Sequence, residues 1–183
     1  MSESVFSRFI STETERIHRE HLKTLKHRYS ILVKSVSALN GVDAQTIERV
    51  RLAPDVRRDA CMLLSDIRLH ELYFTSFTEL APPSPTVRSA YGSESAFLYE
   101  IFEAARHAEG KFLCIGCTRR GISIFTADKY TSPSLLSDAV LALDTAEHSY
   151  FLDYGFDIEA YVRRALPYLN LGNILLDKKG KIS

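Results

Sequence analysis

The sequence has no excess of charge of either sign, because 23 lysine and arginine residues balance 23 aspartate and glutamate residues. Nucleic-acid binding needs clustered positive charge that neutralises phosphates, so we expect no nucleic-acid partner. No apolar run reaches the length of a membrane span, and residues 1–9 lack the continuous apolar stretch of a signal peptide. We therefore expect a cytoplasmic protein that does not contact a membrane.

Cysteine is scarce and tryptophan is missing, with three cysteines and no tryptophan in 183 residues. An odd number of cysteines argues against a disulfide framework and fits a reducing compartment. Cys114 and Cys117 are spaced as C-x-x-C, but a zinc ribbon needs a second ligand pair, which Cys61 alone does not supply. We predict that Cys114 and Cys117 are small apolar side chains in a strand and bind no functional metal.

The spacing of apolar residues predicts an α+β fold. Helical spacing from about residue 12 to residue 40, and again over 55–77, predicts an N-terminal helical hairpin. The proline-rich residues 81–85 predict a linker, and we place a boundary there between an N-terminal α-hairpin subdomain (1–84) and a C-terminal subdomain (85–183). The second part predicts a small three-stranded antiparallel sheet flanked by helices, with helices at 95–107 and 158–169 and strands at 111–118, 121–127 and 139–143.

The segment from Asp144 to Tyr154 contains the clearest candidates for metal ligands. Asp144 and His148 stand four residues apart in an apolar and aromatic run, next to Glu147. Carboxylate and imidazole together suit iron, manganese and zinc, although such a pair alone is more often a surface ion pair. Two further histidines lie upstream in the predicted apolar helices, which raises the odds of a metal site.

These residues resemble the iron/manganese superoxide dismutase family. Its C-terminal fingerprint matches at Asp144, Glu147, His148, Tyr150 and Tyr154, and Leu69–Phe74 resembles its second-helix motif around a ligand histidine. Glu20–His21, with Tyr29 eight residues after His21, resembles its first-helix motif. The resemblance implies a superoxide dismutase with one iron or manganese ion per subunit, held by the following four ligands: His21, His70, Asp144 and His148. It also implies that Tyr29 lines the channel for superoxide and relays protons.

The first ligand has a second candidate, His18. Counting from Ile10–Thr14, which resembles the lead-in of the family to this ligand, gives His18. We prefer His21 because it precedes Tyr29 by the family's eight residues and because its distance to His70 is closer to the usual one.

The resemblance further implies a homodimer. In the family the acid at Glu147 bonds the ligand histidine of the partner subunit. The family also has a polar contact between its subunits. The two positions of that contact, counted from His21 and His148, hold Leu25 and Phe151 here, and we expect these two side chains to pack across the interface.

The sequence also departs from the family. It has no tryptophan, and Asp66 and Asp128–Tyr130 stand where the family has a glutamine or histidine that bonds the solvent on the metal. Two alternatives therefore stay open within this fold, a divergent metal-binding protein with weak, lost or altered redox activity and a closed structural zinc site. A metal-free helical interaction domain is a further alternative from a different class.

Overall fold

The computed structural model describes residues 4–108, 110–118 and 120–175, and within them the predicted α+β fold is confirmed. Two long helices come first, and a three-stranded antiparallel sheet with shorter helices follows. Residues 1–3 and 176–183 of the two predicted subdomains lie outside the described part, and the boundary at residue 84 stays a prediction. Within the described ranges, no helix is long and apolar enough to cross a membrane.

Helix α1 spans Thr12–Ser35 and carries the first histidines. The side chain of Ser11 caps it by accepting a hydrogen bond from the Thr14 amide, and Glu13 and Glu15 complement the helix dipole in the first turn. The helix ends before the predicted residue 40, because Val36 adopts an extended backbone and a short 3₁₀ turn follows. The cap fixes where the helix begins, and with it which residues of α1 face inward.

Helix α2 spans Pro54–Thr75 and packs against α1 as the predicted hairpin. Pro54 stands at its first position and has no backbone N–H, so no donor is left without a partner there, and this favours a helix start. A small apolar cluster around Leu39, Ile47 and Ala60 fills one end of the hairpin. The other end joins the main core, which α2 shares with the sheet.

A short helix, α3 at Pro85–Tyr91, begins inside the segment that the sequence predicted as a linker. Ser84 caps it through the Val87 amide, and Pro85 takes the first helical position. Helix α4 follows at Glu94–Arg106, close to its prediction.

The sheet contains β1 (Phe112–Thr118), β2 (Gly121–Ala127) and β3 (Ala139–Asp144), in the order β2-β1-β3. All neighbours are antiparallel, and Phe112 pairs with Ala127 on one side and with Asp144 on the other. The predicted β1–β2 turn includes Arg119, which lies outside the described residues. The central strand β1 is buried along nearly its whole length, so it forms the middle of the core.

The chain after β3 turns back over the hairpin. A 3₁₀ turn at Glu147–Ser149 leads into α5 (Phe151–Tyr154), and α6 spans Ile158–Ala165. Helix α6 ends before the predicted residue 169, since the chain tightens into a 3₁₀ turn containing Pro167. The 3₁₀ turn at Glu147–Ser149 contacts α1, and it therefore brings His148 to the helical hairpin.

Candidate metal centre

Four side chains from distant parts of the chain meet where the hairpin contacts the end of β3. They are His18 on α1, His70 on α2, Asp144 at the end of β3 and His148 on the following turn. One potential ligand atom from each lies within 4.8 Å of the others. Three of the residues are buried and His148 is half-exposed, with 46% of its side chain accessible.

Asp144 lies between two imidazoles. Its Oδ2 is 2.9 Å from Nε2 of His18 and 3.1 Å from Nε2 of His148. Its other oxygen, Oδ1, accepts a hydrogen bond from the Ala146 amide at 2.9 Å, which fixes the plane of the carboxylate. The side chain is fully buried, so this charge is stable only because these donors surround it.

His70 turns one nitrogen toward the centre. Its Nδ1 donates to the backbone carbonyl of Asp66 at 2.8 Å and also lies 3.2 Å from Oδ1 of Asp66. Because a carbonyl only accepts, the proton is on Nδ1 and the lone pair is on Nε2. Nε2 is buried and has no hydrogen-bond partner among the described residues, which is costly unless something else binds it.

This donor set fits a transition-metal ion. Imidazole nitrogen and carboxylate oxygen bind such ions at about 2.1 Å, so two ligands at a right angle lie about 3 Å apart. The distances of 2.9 Å and 3.1 Å from Asp144 to the two histidines match that spacing. The buried, unpartnered Nε2 of His70 supplies a further donor.

Burial and hydrogen bonding compete in setting the pKa values of these side chains. Burial alone would raise the pKa of Asp144, but the hydrogen bonds of His148 and His18 outweigh it and hold the pKa well below its usual value. Burial lowers the pKa of His18, although its bond with Asp144 opposes the change. For His148 the bond with Asp144 outweighs burial and raises the pKa. In the absence of an ion, the charge of Asp144 is therefore balanced mainly by His148.

Aromatic side chains pack against the buried histidines. Tyr73 stacks on the His18 ring at 4.8 Å, and Phe112 meets the His70 ring edge-on at 5.0 Å. The hydroxyl of Tyr73 lies 3.4 Å from that of Tyr161, and both side chains are fully buried. These rings keep water from the inner side of the site.

On α1 the structure differs from the expected set of four residues. His21 was expected in the group of four, but the structure places His18 there. The helix that Ser11 caps points His18 inward, and three residues later the chain has turned about 300°, so His21 lies about 60° to one side of His18 and is exposed, although its ring still reaches His70. The lead-in Ile10–Thr14, which gave His18, agrees with this placement. His21 instead forms a second group with Asp66 and His70.

Tyr29 lies away from the group of four. It packs in the small cluster of Leu39, Ile47 and Ala60, and its hydroxyl donates to the Val42 carbonyl at 3.3 Å. Counted from His18, the position eight residues later is Lys26, whose ammonium pairs with Glu71 at 2.7 Å. The position of Tyr29 does not support the expected role in proton delivery.

The three residues predicted at the subunit interface differ in their exposure. Glu147 is exposed beside His148, and Phe151 is 43% exposed with its ring against Phe156. Leu25 is 3% exposed and buried within its own chain, so the expectation that it packs across a subunit interface is not supported.

Cys114 and Cys117 are buried in β1 and belong to neither metal-capable group among the described residues. Sequence reasoning missed the bond between Asp66 and His70. Their four-residue spacing on one helix would have predicted this contact.

Comparisons with known proteins give one informative match. A search of curated proteins found none similar to this chain. The sequence model described as "Iron/manganese superoxide dismutases, C-terminal domain" matches residues 83–175, just over half of the chain. The matched part includes the whole sheet, Asp144 and His148. The chain therefore belongs to the iron/manganese superoxide dismutase family.

Proposed function

We propose that the protein is a superoxide dismutase that holds one iron or manganese ion per subunit through His18, His70, Asp144 and His148. The position of Asp144 between two imidazoles, opposite the unpartnered Nε2 of His70, is the observation that supports this function most directly. When bound, the ion would supply the redox chemistry, in which one superoxide is oxidised to dioxygen and a second is reduced, with two protons, to hydrogen peroxide.

The residues around the ligands hold them in place. The carbonyl of Asp66 fixes the tautomer of His70, and the Ala146 amide fixes the carboxylate of Asp144. Tyr73 holds the ring plane of His18 by stacking. These contacts keep the donors in position before an ion arrives, and the buried negative charge of Asp144 offsets part of the charge of the ion.

A small anion can approach along a groove between α1 and α2. This groove has a volume of about 510 Å³ and reaches His21 and Asp66, both of which adjoin His70. Arg28 and Lys129 line it and carry positive charge. Superoxide is an anion, so these side chains would favour its entry, while the two carboxylates of the groove, Asp59 and Asp66, oppose it.

A second candidate function is metal binding with weak or altered dismutation. Two positions favour it. Lys26 replaces the tyrosine that the family places eight residues after the first ligand, once the count starts from His18. Asp66 replaces the family's amide and places a carboxylate 3.2 Å from His70. An acceptor in place of a donor near the ligands changes the proton affinity of bound solvent and the potential of the metal.

Metal analysis combined with superoxide decay tests both candidates. Untagged protein produced with iron or with manganese should contain one ion per chain, and pulse radiolysis should show catalysed decay of superoxide. His148→Ala should lose both metal and activity, whereas the matched control His27→Ala, an exposed histidine of α1 in neither metal-capable group, should keep both. Equal metal content in the two variants would refute the ligand assignment.

The same experiment separates dismutation from metal binding alone. Full metal content without faster superoxide decay would favour the second candidate. In that case Asp66→Gln, which replaces the carboxylate by an amide of similar reach, should raise the decay rate if Asp66 is the cause. An unchanged rate in Asp66→Gln would direct attention to Lys26, for which Lys26→Tyr is the corresponding variant.

The subunit organisation and the compartment are also proposals. Exposed Glu147 beside the half-exposed His148 supports a homodimer in which this acid reaches the partner's ligand histidine. Phe151, Leu152 and Phe156 add exposed apolar surface nearby. A cytoplasmic location is supported by the three cysteines, all of which are free thiols.

A further inference from the structure

A second group of potential ligands adjoins the group of four. It contains His21, Asp66 and His70, and one ligand atom from each lies within 4.8 Å of the others. Asp66 and His70 stand one turn apart on α2 and therefore share a face, and the His21 ring of α1 lies 4.9 Å from the His70 ring. Two imidazoles and a carboxylate are donors that suit zinc, cobalt and similar divalent ions.

The two groups share His70, and this makes them alternatives. A neutral imidazole has a single lone pair, on Nε2 when Nδ1 carries the proton as it does here. That lone pair has no hydrogen-bond partner among the described residues. Whichever nitrogen is used, His70 in its neutral form can bind one ion at a time, so the two groups cannot form a two-metal centre.

The two positions differ in their access to solvent. In the inner group His18, His70 and Asp144 are buried and His148 is half-exposed, whereas in the outer group His21 is exposed and Asp66 is partly exposed. His21 and Asp66 both line the groove of about 510 Å³ between α1 and α2. An ion that enters through this groove meets His21 and Asp66 before it can reach His18 or Asp144.

We propose that His21, Asp66 and His70 form an outer coordination position for a divalent cation, which competes with the buried group of four for His70. An ion in the outer position takes a ligand from the inner one, so the outer position serves as the point where ions that come through this groove enter and exchange. This inference rests on the metal binding of the proposed function and does not depend on dismutation.

Metal exchange in the folded, native sequence provides the first test. Protein loaded with one cobalt ion is mixed with excess zinc, and the loss of the cobalt absorption bands is followed with time. His21→Ala should slow the exchange at least tenfold, because it removes an outer ligand, and His27→Ala should exchange like the native sequence. Equal rates for the native sequence and His21→Ala would overturn the proposal.

Removal of an inner ligand provides the second test. His18→Asn keeps a hydrogen-bond donor for Asp144 but replaces the imidazole by a weak ligand. By titration calorimetry it should still bind one zinc ion, and adding His21→Ala should weaken binding at least tenfold, whereas adding His27→Ala should not. Equal zinc affinity with and without His21, or no zinc binding by folded His18→Asn, would overturn the outer position. If the native protein binds neither cobalt nor zinc, nor iron or manganese, the proposed function itself fails.

Discussion

Replacing His18 by alanine should destabilise the metal-free protein far more than replacing His21. His18 is fully buried and bonds the charged Asp144 at 2.9 Å, and a hydrogen bond to a charged group contributes about 1.5–3 kcal/mol. Alanine would also remove the ring that stacks on Tyr73 at 4.8 Å and would leave a cavity beside a buried charge. Breaking such a buried pair costs about 3–5 kcal/mol in total.

His21 is exposed, so His21→Ala should change the free energy of unfolding by about 0.5 kcal/mol at most. For a chain of this size the predicted loss in His18→Ala lowers the melting temperature by about 6–20 °C, at roughly 2–4 °C per kcal/mol. Thermal unfolding of both variants after treatment with a chelator measures the difference without any contribution from bound metal. Equal melting temperatures, or a larger drop in His21→Ala, would refute the placement of His18 and imply a different rotation of α1.

Three further predictions concern reactivity, pH and assembly. Burial raises the pKa of Cys114 to about 12, so iodoacetamide at neutral pH should modify the half-buried Cys61 first. Rapid alkylation of Cys114 in the folded protein would contradict its burial. The pKa of Asp144 is held below its usual value, and the pKa of its partner His148 is raised, so metal-free protein should keep the stabilisation of this pair between about pH 4 and about pH 6.5. It should lose it as Asp144 is protonated at lower pH and as His148 loses its proton at higher pH. Urea unfolding against pH measures this, and a flat profile would contradict the shifts. Phe151→Asp should weaken the proposed dimer because it buries an unpaired charge, and sedimentation at micromolar concentration measures this. The control Leu135→Asp, at a 65% exposed position, should leave the dimer intact. Equal behaviour of the two variants would place the interface elsewhere.

Three of the four residues that meet at the candidate centre could be predicted from the sequence, because residue type and short spacing are local information. Asp144 and His148 lie four residues apart, and His70 stands in a helix whose apolar spacing shows its inner face. The strand that ends at Asp144 was also predicted, and this is the element that carries the carboxylate to the helices. These predictions depended on spacing within one element, which secondary structure preserves.

The choice between His18 and His21 depended on the rotation of a helix, and apolar spacing alone defined that rotation poorly. Both histidines lie near the inner side of α1. Three residues turn a helix by about 300°, which leaves their side chains about 60° apart around the helix axis. The cap at Ser11 sets the start of the helix, and the contact with Asp144 then selects His18. Tyr29 was assigned from its distance to His21, so a count from His18 gives Lys26 in its place.

The spacing of Asp66 and His70 predicts that they share a helix face, but it does not show which of their atoms are in contact. Asp66 occupies a position where an amide was expected, and the sequence alone left open whether its carboxylate faces the site. In the structure the backbone carbonyl of Asp66 fixes the His70 tautomer, while its carboxylate lies 3.2 Å from the same ring and also lines the groove beside His21. One residue therefore orients an inner ligand and belongs to the outer group. If Asp66 does bind a cation in the outer position, its contact with the His70 ring must weaken, because a carboxylate on a cation is a poorer hydrogen-bond acceptor. The departure of this chain from its family at residue 66 would then change metal exchange as well as redox chemistry.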